Sequence, residues 1–290
     1  MILGFVNAFK PAGPTSVQVG ARVRRAFARV TGELPPIGHL GTLDPMAAGV
    51  LPLAIGKATR LLPLIEDRRK SYVFTLVLGS ATASGDATGA TIERAPVPRA
   101  AAERLTQAAS DAIGPMLQVP PMVSALHHNG ERLYVIARRG ETVERPPRRV
   151  TIYALELLGV AAGVARLRVA CSEGTYVRTL CEDLARTIGT VGHMGALLRD
   201  GAGPFTLADA LLPEEIDADP FAALVVPDRV IPIPTVVLDG RGAADFRAGR
   251  VVPFPEGSAA KAVFVRDGSR VLVGVGEPLG SLLAPRRVFV

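Results

Sequence analysis

Tryptophan is absent from this 290-residue chain, and aromatic residues of any kind make up only 5% of it. With so few, each tyrosine has to be weighed singly as a stacking or hydroxyl-bearing group. Cysteine is almost missing too: Cys171 and Cys181 are too few for a disulfide scaffold. A metal site would need two further ligands, and His127, His128 and His193 show no finger-like spacing with them. The pair reads as buried thiols, and neither a metal nor another cofactor is expected. Lysine is restricted to Lys10, Lys57, Lys70 and Lys261, so arginine supplies most of the 33 basic residues. Arginine suits bidentate phosphate contacts and stacking on bases, although coding bias in a GC-rich genome produces the same excess. No uninterrupted apolar run approaches the ~20 residues of a membrane helix. The start, MILGFVNAFKP, lacks the cationic lead, apolar core and small-residue cleavage site of a signal peptide. A cytoplasmic protein without membrane association is the expectation.

What is present is an ordinary globular composition, 48% hydrophobic and 21% charged, long enough for about two domains. The net charge of +6 favours an anionic partner, nucleic acid or acidic lipid. The most informative stretch is 37–60, IGHLGTLDPMAAGVLPLAIGKATR, whose one acidic residue is Asp44. Gly38 and Gly41 permit tight turns or close approach, while Pro45 biases Asp44 away from helical geometry. Asp44 is therefore placed at the end of a loop, before a buried helix or strand over 46–55. A carboxylate held at such a boundary serves as a nucleophile or general base; a helix N-cap is the competing reading.

Elsewhere, Ser16 is the expected N-cap of a helix through VQVGARVRRAFARV. SYVFTLVLG (71–79) reads as a central strand with apolar residues on both faces, followed by a small-residue loop. Residues 100–113 pattern as an amphipathic helix stopped by Gly114-Pro115. A loop over 118–124 and a short basic helix in GERLYVIARRG precede two strands, ERPPRRVTIYALELL and VARLRVACS. The helix TYVRTLCEDLARTIG then ends at Gly189. The proline-rich 227–234 is a natural boundary, and the short β-type segments after it read as a compact all-β module.

Residues 38–60 resemble the signature of the bacterial TruB family of tRNA pseudouridine synthases, usually GHTGTLDPxATGVLPxxxGxATK. The likeness extends through KPAGPTS (10–16), PPMVSALHHNGERLYVIARRG (120–140) and CSEGTYVRTLCEDLA (171–185). It departs at Leu40, where Thr is usual, at Phe9, usually Asp, and at His127, usually Lys. The resemblance implies an α+β fold: a catalytic domain over 1–230 with a large mixed or antiparallel sheet and flanking helices. A thumb-like RNA-gripping insertion would span about 118–148, and a PUA-like RNA-binding module 235–290.

It further implies isomerisation of uridine-55 in the TΨC loop of tRNA, with Asp44 as nucleophile and Arg178 holding that carboxylate, in an arrangement expected to be bidentate. Tyr72 would stack on the flipped base and handle the C5 proton; Tyr176 and Leu197 would line the same pocket. His39 would fill the space left by the flipped nucleotide, and Lys10 and Arg199 would contact phosphate. Attack at the sugar C1′, as in retaining glycosidases, and addition to the uracil ring both remain open. The partner is the tRNA T stem-loop, met by a monomer without an obligatory protein partner. The alternatives are a guide-RNA-dependent relative and an RNA-binding or tRNA-folding protein with a vestigial pocket.

Overall fold

LGFVNAFK and AGVLPLAIG lack the alternation of a half-exposed strand, and both become strands covered on both faces. The computed structural model describes residues 2–124, 126–255 and 258–289. Its first part runs β1 (Leu3–Lys10), α1 (Ser16–Thr31), β2 (Ile37–His39) and β3 (Ala48–Gly56). Thr15 caps α1, one residue before the expected Ser16: the Thr15 hydroxyl accepts from Gln18 N, and the Gln18 side chain accepts from Thr15 N. Next come β4 (Lys70–Leu78), β5 (Ser80–Thr82), β6 (Thr91–Arg94), α2 (Ala101–Asp111) and β7 (Gly114–Gln118). The segment expected as a small-residue loop thus begins as β5, which pairs with β6. Gly114-Pro115 does come after a helix end, and it opens a strand.

The chain continues with β8 (His127–His128), β9 (Glu131–Arg132), α3 (Leu133–Arg138), β10 (Arg148–Ala161), β11 (Val164–Cys171), α4 (Val177–Thr187), β12 (Gly192–Ala202) and β13 (Phe205–Thr206). The large sheet has the order β1-β3-β12-β4-β11-β10-β7, with β2 pairing β3 and β13 pairing β12. Its pairs are antiparallel except β12 beside β3, which meet in parallel at Leu198–Ala48 and Arg199–Gly49. The fold is α+β with a large mixed sheet.

β4 is central, as its sequence suggests, yet its two faces differ. Lys70, Tyr72, Phe74, Leu76 and Leu78 are buried, and the last four pack with Leu105 of α2 and Leu180 and Leu184 of α4. Ser71, Val73, Thr75 and Val77 remain half-buried. At the other end of the sheet, Val19, Val23 and Phe27 of α1 pack on Val6, Leu51 and Leu53.

After α5 (Pro213–Ala218) and α6 (Pro227–Val230) come β14 (Thr235–Val237), α7 (Gly240–Arg247), β15 (Val252–Pro253), β16 (Val263–Arg266), β17 (Leu272–Leu279) and β18 (Leu282–Val288). These strands form a second sheet, β14-β16-β17-β18-β15. The sequence reading missed α7, whose two glycines disguise it. It is held by Asp239, which accepts from Gly242 N, and by the buried Phe246. Phe264, Leu272, Val275 and Phe289 share one core cluster with Phe5 and Val50 of the larger sheet and with Leu61, which lies in the short helical segment Lys57–Leu64. Among the described residues no helix is long and apolar enough to cross a membrane.

Candidate active site

β3 has β1 along one edge; its other edge is shared between β2 at the far end and β12 at the near end. The connection 40–47 arches out where β2 stops and β12 begins, and it carries Asp44. Ala47 N donates to Asp44 O at 3.1 Å, so Asp44-Pro45-Met46-Ala47 closes a turn with proline at its second position, where its fixed φ fits. Beyond Ala47 the chain enters strand β3, not a helix. Asp44 therefore begins a turn, which disposes of the N-cap alternative.

Buried donors hold this loop from behind. Lys70 Nζ donates to Leu40 O (3.3 Å), and Arg199 donates from Nη2 to Gly41 O (3.0 Å) and from Nε to Val50 O (2.7 Å). Lys10 Nζ donates to Pro45 O (3.0 Å) and Ala47 O (2.6 Å). The Ser16 hydroxyl donates to Leu43 O (3.0 Å) and accepts from Leu43 N (2.8 Å). Gly41 sits at φ +94°, a conformation natural to glycine. Burial lowers Lys70 to about 8, with the nearby Arg199 charge adding to the effect. Burial likewise lowers Lys10 to about 8, opposed by Asp44 and reinforced by Arg199.

In front of the loop, Arg178 Nε lies 2.9 Å from Asp44 Oδ2. The Arg178 side chain is 3% exposed and that of Asp44 36%, so the cation is fixed while the acid stays reachable. The expected bidentate fork is not formed: Nη1 donates to Ser84 O (3.0 Å) and Nη2 to Val123 O (2.8 Å). Ser84 is itself anchored, because Asp86 accepts from the Ser84 hydroxyl, Thr88 N and the Thr88 hydroxyl. Although burial opposes it, these bonds keep Asp86 below the usual carboxylate value.

Asp44, Arg178, Tyr72, Tyr176 and Leu197 line one cavity of about 90 Å³, together with Thr42, Leu43, Thr175, Val177 and Met194. The volume is about that of three waters, a slot for a planar ring, and far below the ~300 Å³ of sites that enclose larger ligands. A wider groove of about 900 Å³ lies in the C-terminal sheet, lined by Thr235, Asp239, Arg241 and Phe254 among others, away from the Asp44–Arg178 pair. Tyr72 is buried, and burial raises its hydroxyl pKa despite the Arg199 guanidinium beside it. Burial also raises Tyr176. Tyr176 sits at the N-cap of α4, its backbone clamped by the buried Gln118, which donates to Tyr176 O (3.0 Å) and accepts from Tyr176 N (2.7 Å).

Three of the expected residues lie outside this group. Lys10 and Arg199 are 0% and 1% exposed and spend their donors on backbone carbonyls, so neither is available to an RNA phosphate. That expectation is corrected: both brace the loop. His39 belongs to β2, opposite Leu53, and does not line the cavity; burial, then the Arg199 charge, lowers its pKa. Sequence reasoning also missed Ser16, Lys70, Asp86 and Gln118. For Lys70 a signal existed, because period two in KSYVFTLVL puts it on the same face as Tyr72, Phe74 and Leu76.

The TruB family pseudouridylate synthase (N terminal domain) pattern matches residues 29–177. The chain belongs to the TruB family. It is similar to the tRNA pseudouridine synthase B of Dechloromonas aromatica, 39% identical over 287 residues that cover 96% of this chain and 93% of that protein. The tRNA pseudouridine synthase B of Aromatoleum aromaticum is 41% identical over 285 residues, 96% and 90% of the two chains. Among solved structures, a chain of a Cbf5-Nop10-Gar1 complex superposes with TM-score 0.69 at 23% identity, covering 99% of this chain and 85% of that one. A chain of an H/ACA RNP bound to a substrate RNA gives 0.68 at 22%, with coverage of 99% and 85%. At such identity these two establish the shared fold.

Proposed function

We propose that this TruB-family chain is a tRNA pseudouridine synthase that isomerises uridine-55 of the T loop. The observation that carries the reading is the 2.9 Å Asp44–Arg178 pair at a ring-sized slot bounded by Tyr72, Tyr176 and Leu197. The net reaction breaks the N1–C1′ bond, joins C5 to C1′, releases the C5 proton and returns a proton to N1. No oxidant, reductant or energy source is consumed, so no cofactor is required.

Asp44 supplies the nucleophile, and Arg178, 2.9 Å away, aims its carboxylate. A uridine within an RNA loop must leave its stack, at a cost of a few kcal/mol, and Tyr72 and Tyr176 offer replacement surfaces. Because burial raises the Tyr72 hydroxyl, Tyr72 is a neutral phenol at pH 7. It stacks on the base and relays the C5 proton rather than acting as a standing base. Near-full-length likeness to bacterial proteins of tRNA pseudouridine synthase B type supports a monomer that acts on naked tRNA in the cytoplasm, without a guide RNA.

The test is release of hydrogen from uridine labelled at C5, using purified chain and an unmodified T stem-loop. The expected outcome is label release without free uracil. In Asp44→Asn, release is abolished while RNA affinity stays within about tenfold, roughly 1.4 kcal/mol. Free uracil would mark a glycosidase, and parallel loss of binding would make Asp44 a structural residue.

A further inference from the structure

We infer that Arg199 is a positioning residue that locks the Tyr72 hydroxyl to the loop carrying Asp44. The inference rests on the assignment of Asp44 and Tyr72 to the reacting centre. Arg199 is among the largest fully buried side chains of the protein, at 1% exposure. Its two carbonyl acceptors, Gly41 O and Val50 O, lie on opposite sides of Asp44 in the chain. One rigid guanidinium therefore fixes both arms of the loop to β12.

The same side chain reaches the base-stacking face. Arg199 stands opposite Tyr72 in the β12–β4 register, and its charge beside the Tyr72 hydroxyl works against the burial that raises that group. A Cβ on Gly41 would meet Arg199 Nη1 at 3.5 Å, an ordinary contact, whereas one on Gly49 would fall 2.2 Å from the backbone O of Arg199, so Gly49 is what lets β3 and β12 pass this closely. A guanidinium in so dry a place carries a desolvation cost; methionine would fill the volume without it. What methionine lacks is the charged fork of donors that ties both arms of the loop to β12 beside the phenol.

Arg199→Met and Arg199→Lys test this in the full chain with a C5-labelled T stem-loop. In Arg199→Met the single-turnover rate should fall roughly 100-fold, the size of effect that a 1 Å misplacement produces, with RNA affinity within about twofold. Arg199→Lys, which keeps the charge but not the fork, should recover only part of the rate. In a double-mutant cycle with Tyr72→Phe, the Arg199→Lys penalty should shrink markedly, because the contact it serves is already gone.

Tyr72 ionisation gives a readout that packing alone would not move. The charged and titratable groups that act on its hydroxyl are Arg199, Cys171 and Asp44. Losing the cation should shift the tyrosinate absorbance attributable to Tyr72 to higher pH in Arg199→Met and leave it nearly in place in Arg199→Lys. A folded Arg199→Met that keeps its rate within about twofold overturns the inference, as does strict additivity in the cycle. Should Arg199→Met fail to fold, Arg199→Lys and the cycle decide alone. Activity surviving in Asp44→Asn would instead overturn the reading of the site itself, whatever the Arg199 variants do.

Discussion

In front of the loop that carries Asp44, one guanidinium meets a carboxylate that solvent still reaches. Behind it, two ammonium groups and a second guanidinium meet backbone carbonyls in a dry interior. In front, the partner is an acid, and its partial exposure leaves it open to a substrate. At the back, desolvation opposes the charge, which is why Lys10 and Lys70 are both lowered to about 8. The return is stiffness: buried donors fix carbonyls on both sides of Asp44 that a loop would otherwise leave to water. Positive charge near the Asp44 carboxylate thus has two separable uses, aiming the acid and immobilising the backbone that bears it.

The largest expected effect breaks the front alone. Arg178→Met removes the partner of Asp44 and the donors to Ser84 O and Val123 O. Turnover should fall by about 100-fold or more, the loss seen when one preorganised charge-stabilising donor is removed. Label release under single-turnover conditions checks this. Retention of more than about a tenth of the wild-type rate, a loss under ~1.4 kcal/mol, would mean that Asp44 needs no cation in front of it.

The two sides are not equally legible in the sequence. Asp44, Tyr72, Tyr176, Arg178 and Leu197 stand out on their motifs, and the structure gathers all five at one cavity. The strands are also readable, since β1, β3 and β4 carry plain apolar patterns. The back is not. Lys10 and Arg199 read as phosphate ligands because cations are usually exposed, and a motif does not disclose burial. Ser84 and Gln118 act through partners 94 and 58 residues away, a separation that local pattern cannot bridge. α7 escapes a sequence reading because its glycines mask a helix whose stability comes from Phe246 packing beneath it.

A smaller effect sharpens the back. Lys70 has a folded value of about 8 against the ordinary 10.5. Between those limits the unfolded chain binds a proton that the folded one has released, so this group's contribution to stability rises with pH, by at most about 1.4 kcal/mol per unit. Below about pH 8 the charged lysine carries its full desolvation cost. Wild-type stability, measured by urea unfolding, should therefore climb relative to Lys70→Met from about pH 8 upward. Lys10 is common to both proteins and cancels. Parallel curves would show that Lys70 is better hydrated than its buried position implies.

The smallest effect separates two adjacent residues that sequence alone could not tell apart. Thr15 caps α1, whereas Ser16, 1% exposed, turns inward and bonds both backbone atoms of Leu43, the neighbour of Asp44. Thr15→Ala should cost about 1 kcal/mol of stability, the usual value of a lost cap, with the turnover of the folded enzyme unchanged. Ser16→Ala should cost about 1–3 kcal/mol, because it strands a buried N–H and C=O, and it should also lower kcat, since Leu43 would no longer hold Asp44 in register with Arg178. Thermal unfolding and kcat on the same preparations give both quantities. Equal kcat in the two variants would confine the control of Asp44 to the buried cations and leave Ser16 a residue of the fold.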